Sequence, residues 1–261
     1  MSSEALHPTY YNIADGVVAF STTRHGGVGE GNYASFNINP YCGDTAEHVV
    51  ANRQLLAAEL SVDERRIILP HQTHGIATRI IDSEFLALPE SARIAQLEGI
   101  DALLTDVSGV CIGVSTADCI PVALYDADHH AVAAVHAGWR GTLARIVMKT
   151  IADMRLAYHT DPKRLKAVIG PGISRKNFEV GDEVYDAFKD AAFDMASITS
   201  REEKWHIDLP LCNRLQLLQA GVAEENIVLS GVCTFDSVDD YFSARRLGTS
   251  SGRIYTGIMC K

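Results

Sequence analysis

The chain has 261 residues, 47% hydrophobic and 21% charged, with a formal net charge of -10. That length supports a sizeable core without staples, and the composition is ordinary for a water-soluble globular protein. The acidic balance argues against nucleic acid as the main partner, because phosphate backbones need a basic surface, while a few local arginines can still hold a small anion. No apolar run approaches the roughly 18 residues a membrane span needs, so no membrane association is expected. The six cysteines are Cys42, Cys111, Cys119, Cys212, Cys233 and Cys260, and none forms a CxxC pair. The opening MSSEALHPTYYNIADG has no basic-then-apolar leader. The expectation is therefore a reduced, cytoplasmic protein.

In chain order, residues 16–23 read as a strand that enters a glycine-rich loop, Arg24-His25-Gly26-Gly27-Val28-Gly29-Glu30-Gly31. Asp44-Thr45-Ala46-Glu47 resembles a capping box opening a helix to about Leu60. Residues 67–69 form a short strand stopped by Pro70. Segments 101–105, 110–116, 119–125 and 131–136 are apolar and β-branched, and read as a cluster of strands. Residues 141–157 have helical spacing. Residues 168–169 run into a turn, Gly170-Pro171-Gly172. Helices are predicted over 180–190 and 209–220, and a final strand over 253–259. No low-complexity linker divides the sequence, so a single domain over 1–261 is expected. Strands cluster without regular βαβ alternation, which predicts a mixed α+β fold. Phe20-Ser21-Thr22-Thr23-Arg24 and Phe242-Ser243-Ala244-Arg245-Arg246 share F-S-x-x-R, the mark of a duplicated half or a chance match.

The richest stretch runs from Ala133 to Thr142, AAVHAGWRGT. A buried strand ends at His136, and Gly138-Trp139-Arg140-Gly141 turns the chain into a helix, an arrangement that presents chemistry to solvent. Cys119 lies 17 residues upstream, and His71 and His74 form an HxxH bracketed by Pro70 and Gly75, which favours a loop. His74, Cys119 and His136 have the ligand types of a catalytic zinc, which keeps three protein ligands and an open position for water. Their separations of 45 and 17 residues give no short ligand pair. The same residues suit a second chemistry, with Cys119 as a nucleophile activated by His136 and oriented by Asp118 or Asp101. A buried structural cysteine with two ordinary histidines is the plain alternative to both.

Arg24 in its glycine-rich loop and Arg140 in the turn after His136 are candidate anion holders, since guanidinium forks match phosphate geometry. The loop is neither a Walker A sequence nor a Rossmann fingerprint, and an ordinary surface turn also fits it. Arg245 and Arg246 read as a solvated pair. Trp139 reads as packing more readily than as a stacking platform. Asn37 is either a polar recognition group or a turn cap.

Taken together, these motifs resemble one bacterial family, long labelled multicopper polyphenol oxidase or laccase domain and associated with purine nucleoside phosphorylase activity. The matching segments include Phe20-Ser-Thr-Thr-Arg-His-Gly-Gly27, Asn32-Tyr-Ala-Ser-Phe-Asn37, Gln72-Thr-His-Gly75, Asp101-Ala-Leu-Leu-Thr-Asp106, Thr116-Ala-Asp-Cys-Ile-Pro121, His136-Ala-Gly-Trp-Arg-Gly141, Phe178-Glu-Val-Gly181 and Phe242-Ser-Ala-Arg-Arg246. They run from about residue 18 to the C-terminus. The resemblance implies layered mixed β-sheets with flanking helices, related to a cysteine-hydrolase-like toxin fold. It implies a metal site at His74, Cys119 and His136, with Zn2+ favoured over Cu2+; His71 lies outside the family motif. It implies phosphorolysis of adenosine, inosine, guanosine or methylthioadenosine, and deamination of adenosine. The expected partners are purine nucleosides and phosphate, with Arg24, Asn37 and Arg140 as substrate or phosphate contacts. Thr73 and Gly172 depart from the family pattern without removing a ligand.

The family's oxidase label conflicts with the residues. Four-copper chemistry gathers its histidines largely in H-x-H pairs, and this chain's ten histidines include no such pair. Copper oxidase activity is therefore rejected. A second reading, also carried by relatives, is a cytosolic hydrolase that edits peptidoglycan precursors through Cys119 and His136. A third is a non-catalytic protein with a closed structural zinc.

Overall fold

Alternation along the central strands sets the architecture. In Ile120–Asp126, the side chains of Ile120, Val122 and Leu124 enter one apolar cluster, while Ala123 and Tyr125 enter another. In Ala131–Ala137, residues 131, 133, 135 and 137 join the first cluster and Val132 and Ala134 the second. Period-two alternation with both faces apolar means a strand covered on both sides. The computed structural model, which describes residues 5–261, has that arrangement.

One sheet has six strands in the order Ile227–Leu229, Leu165–Ile169, Ile120–Asp126, Ala131–Ala137, Ala102–Thr105 and Thr78–Ile80. Its two outer pairs are parallel and its inner pairs antiparallel. A second sheet has five strands in the order Thr9–Tyr11, Val17–Ser21, Ile254–Cys260, Cys111–Thr116 and Ile67–Ile68. The two sheets pack face to face: Ile112, Val114 and Ile258 of one meet Leu103, Ala134 and Val168 of the other. Helices Ile146–Tyr158 and Leu209–Gln219 cover the outer face of the six-stranded sheet. Helix Ala46–Leu60 covers the outer face of the five-stranded sheet. A small antiparallel sheet, Glu179–Val180, Trp205–Ile207 and Thr199–Arg201, adds to the periphery. The mixed α+β layering expected from the sequence is what the protein has.

Several predicted elements shift for identifiable reasons. The first long helix is capped by Thr45, whose side chain accepts from His48 N–H, so the cap falls one residue beyond Asp44. Such a cap is worth about 1 kcal/mol. Asp44 accepts instead from Asn37 and the Thr45 N–H. The helix expected over 141–157 divides into Trp139–Leu143 and Ile146–Tyr158 at Arg145, whose φ is +60°. The F-S-x-x-R echo has no common structure: Phe20 and Ser21 end a strand, whereas Ser243 precedes a helical turn, Ala244–Leu247. All six cysteines are free thiols.

Candidate metal and substrate site

The parity that fills the core also places the site. Residues 132 and 134 face the layer between the sheets, so His136, two positions on, faces it at its open end. Ile112 and Val114 face the same layer from the other sheet, which puts Thr116 at the same end. Cys119 lies in the short connection from Cys111–Thr116 to Ile120–Asp126 and reaches this end from between the two sheets. His74 comes from the loop after Ile67–Ile68. Exposed His74, half-buried Cys119 and buried His136 bring their ligand atoms within 4.8 Å of one another. Among the described residues this is the group placed to hold a metal ion.

Asp101 organises two of the three. It is fully buried, immediately before Ala102–Thr105. One carboxylate oxygen accepts from His136 Nδ1 at 2.7 Å and from the His74 N–H at 3.0 Å. The other accepts from the N–H groups of Gly75 at 2.7 Å and Thr73 at 3.3 Å. Burial pushes this carboxyl up, but the His136 ring and the loop N–H groups outweigh it and hold it below the usual carboxylate range. The bond to Nδ1 leaves His136 Nε2 as the ligand atom, the usual arrangement behind a metal-bound histidine. The carboxylate also steadies His74 in a left-handed conformation, φ +64°, which an L-residue adopts at a cost of about 1–2 kcal/mol. Asp118 is left-handed as well, φ +85°, and is held by Thr234 Oγ1 and the Arg245 N–H, each 2.7 Å away.

The electrostatics favour a metal thiolate. Burial pushes the Cys119 thiol up, but His136 and His74 outweigh it and bring it down to about 6. Burial likewise lowers His136, while Cys119 and Asp101 raise it to about 9. A Cβ on Gly138 would lie 3.0 Å from both Cys119 Sγ and His74 Cδ2, so glycine lets the turn pass these side chains without displacing them. Two imidazoles and a thiolate in this spacing suit an ion with bonds of about 2.0–2.3 Å and an open fourth position.

These residues line a cavity of about 290 Å³. Its other walls include Tyr41, His71, Gln72, Ser115, Thr116 and Arg253. Gln72 replaces a strand neighbour: its side chain accepts from the Ser115 N–H at 2.7 Å and donates to the Ser115 carbonyl at 2.8 Å. His71 stacks on Tyr41 at 4.2 Å and pairs through Nδ1 with Glu98, outside the ligand group.

The other expected contacts lie elsewhere. Arg24 is not on the cavity wall; its Nε donates to the Ala34 carbonyl and its Nη1 to the Val238 carbonyl, and its guanidinium covers the Phe242 ring. Arg140 is exposed over the Trp139 ring and is also off the wall. Asn37 is fully buried, and its amide is committed to Asn39, Asp44 and the Arg253 N–H, so it builds the wall from behind. Arg253 and Tyr41 carried no signal in the sequence, and Thr116 entered only as the first residue of the family segment that holds Cys119. Arg253 stood at the head of a predicted strand, with nothing to show that the strand ended at this cavity.

A four-layer α+β fold gathers His74, Cys119 and His136 at one end of its sheet interface, a group of residues that could hold a metal ion, and the comparisons give the chain a family. The model of the family described as "Multi-copper polyphenol oxidoreductase laccase" matches residues 18–261. A protein from Bacteroides thetaiotaomicron named purine nucleoside phosphorylase is 47% identical over 254 residues, 96% of this chain and 93% of the relative. A protein from an unknown prokaryotic organism named adenosine deaminase RL5 is 45% identical, covering 95% of each chain. The crystal structure of YlmD from Geobacillus stearothermophilus superimposes with a TM-score of 0.90 at 30% identity, covering 100% of this chain and 98% of that one. The chain belongs to this family, and like these relatives it is an enzyme.

Proposed function

We propose that the protein is a zinc-dependent purine nucleoside phosphorylase that also deaminates adenosine. The observation that carries this reading is the convergence of His74, Cys119 and His136 on one small cavity. The names of the relatives from Bacteroides thetaiotaomicron and the unknown prokaryote supply the substrate class. Adenosine, inosine, guanosine and methylthioadenosine are the nucleosides, and inorganic phosphate is the co-substrate. In phosphorolysis a phosphate oxygen bonds to C1′ as the C1′–N bond breaks. The electron pair leaves with the purine, which takes up a proton, giving free base and pentose 1-phosphate.

His74, Cys119 and His136 would hold the ion, and Zn2+ with an open fourth position fits two imidazoles and a thiolate. When bound, it supplies Lewis acidity at the cavity floor. The chain's own groups do the rest. Asp101 fixes the tautomer of His136 and the loop that carries His74. Gly138 leaves room for the turn to pass close to the Cys119 and His74 side chains. The cavity volume suits a small ligand rather than a polymer.

A second reading has its own observation. Cys119 held near 6 beside His136 near 9 forms a thiolate–imidazolium pair, the form of a cysteine nucleophile. That pair would suit amide hydrolysis of a peptidoglycan precursor, which needs neither metal nor phosphate. Release of free base from adenosine and inosine, with and without phosphate, decides between them. Phosphate-dependent release that Cys119→Ala abolishes is expected. No release by folded, zinc-loaded protein would overturn the phosphorylase reading.

A further inference from the structure

Arg253 is a half-buried cation on the cavity wall with no carboxylate partner among the described residues. Neutral oxygens of its own turn hold it instead. Nη1 donates to the carbonyls of Ser251 at 2.6 Å and Gly252 at 2.9 Å, and Nη2 to that of Thr249 at 2.8 Å. Its backbone N–H donates to Asn37 Oδ1. The guanidinium is thus fixed in place while Nε–H and one Nη2–H stay uncommitted, and a fixed fork with two free donors is what bidentate recognition of an oxyanion uses.

A second observation comes from the neighbouring strand. Ile254 pairs with Thr116 and Tyr255 with Ser115, so Arg253 sits one step beyond Thr116 at the same end of the sheet. Thr116 lines the same cavity, is 1% exposed, and carries a hydroxyl without a hydrogen-bond partner. Partnerless buried hydroxyls are costly unless a ligand or water completes them. Among the described residues of the cavity wall Arg253 is the only lysine or arginine, since Arg24 and Arg140 lie outside it.

We propose that Arg253, with the hydroxyl of Thr116, forms the anion subsite that holds inorganic phosphate beside the metal ligands. The assignment rests on the phosphorylase reading and deepens it: the phosphate contact moves from the glycine-rich loop and the turn after His136 to the head of the last strand.

Steady-state kinetics of the zinc-loaded enzyme separate the roles. Arg253→Gln is expected to raise the KM for phosphate about tenfold or more, with the KM for inosine and phosphate-free deamination of adenosine changed by less than about threefold. Arg253→Lys restores part of the loss, because charge returns without the fork. Thr116→Val is expected to raise the phosphate KM while leaving the Tm unchanged or higher, since it removes an orphan hydroxyl. An unchanged phosphate KM in Arg253→Gln overturns the subsite. So does a parallel fall in inosine binding and deamination, which would mark Arg253 as a structural support for its turn. If the wild-type enzyme shows no phosphorolysis, that reading fails separately. Calorimetric titration with inorganic phosphate then decides the subsite: binding lost in Arg253→Gln sustains it, and equal binding or none overturns it.

Discussion

Asp101 touches four groups with one carboxylate: the His136 ring and the N–H groups of Thr73, His74 and Gly75. A neutral amide in its place can accept through one oxygen only, and its NH2 would face N–H groups. Asp101→Asn is therefore expected to weaken zinc binding about 10–100-fold, the usual cost of losing such a partner. Competition against a chromophoric chelator reads it, and an affinity equal to wild type would show that the ligands are oriented by other means. Most of this was legible as residue types and not as roles. Cys119 and His136 could be singled out at the edges of apolar strands, but the choice of His74 over His71, and the metal reading of the three, came with the family resemblance. Arg253 and Thr116 could not, because their importance comes from the pairing of two strands almost 140 positions apart. Arg24 and Asn37 stood out for the opposite reason: a glycine-rich loop and a polar motif signal that side chains are constrained, and here Arg24 ties its loop to the Ala34 and Val238 carbonyls while Asn37 supports the cavity wall from behind.

Among the elements, the long apolar strands agree with the sequence within a residue or two, since buried runs bounded by turn residues leave little choice. The short ones, such as Thr9–Tyr11, Thr78–Ile80 and Glu179–Val180, have too few residues to show a period and exist because a neighbouring strand offers them partners. Strand Cys111–Thr116 shows how closely the elements interlock. Gly113 faces Gly257 across the ladder, and the Tyr255 ring fills the space above it. A Cβ on Gly113 would lie 2.3 Å from Tyr255 Cζ. That ring is fixed by hydrogen bonds from its hydroxyl to the carbonyls of Ile68 and Cys111. Gly113→Ala is expected to cost about 1–3 kcal/mol by overpacking, and urea unfolding monitored by fluorescence would measure it. A change below about 0.5 kcal/mol, the size of a neutral surface substitution, would show that the Tyr255 ring yields freely.

Across the whole molecule, the three residues proposed to hold the ion lie at one end of a sheet interface whose apolar packing does not include them. The apolar clusters between and outside the sheets are continuous and contain none of the three ligands. The ion is thus expected to serve activity and to leave the fold standing. Chelation should abolish turnover while circular dichroism keeps its native form, with the Tm falling only by the binding contribution that ligand linkage predicts. Cooperative unfolding on chelation would instead support a structural zinc. No helix among the described residues is long and apolar enough to cross a membrane.

The placement of strand Ile254–Cys260 makes it a keystone. It lies in the middle of its sheet, between Val17–Ser21 and Cys111–Thr116, and Arg253 stands at its head. Without it the sheet would be two separated half-sheets with bare edges, and the cavity would lack its cationic residue. Pairing sequence-distant strands carries a loop-closure cost before it brings a gain, so the docking of this one strand closes the sheet and completes the cavity wall in a single event.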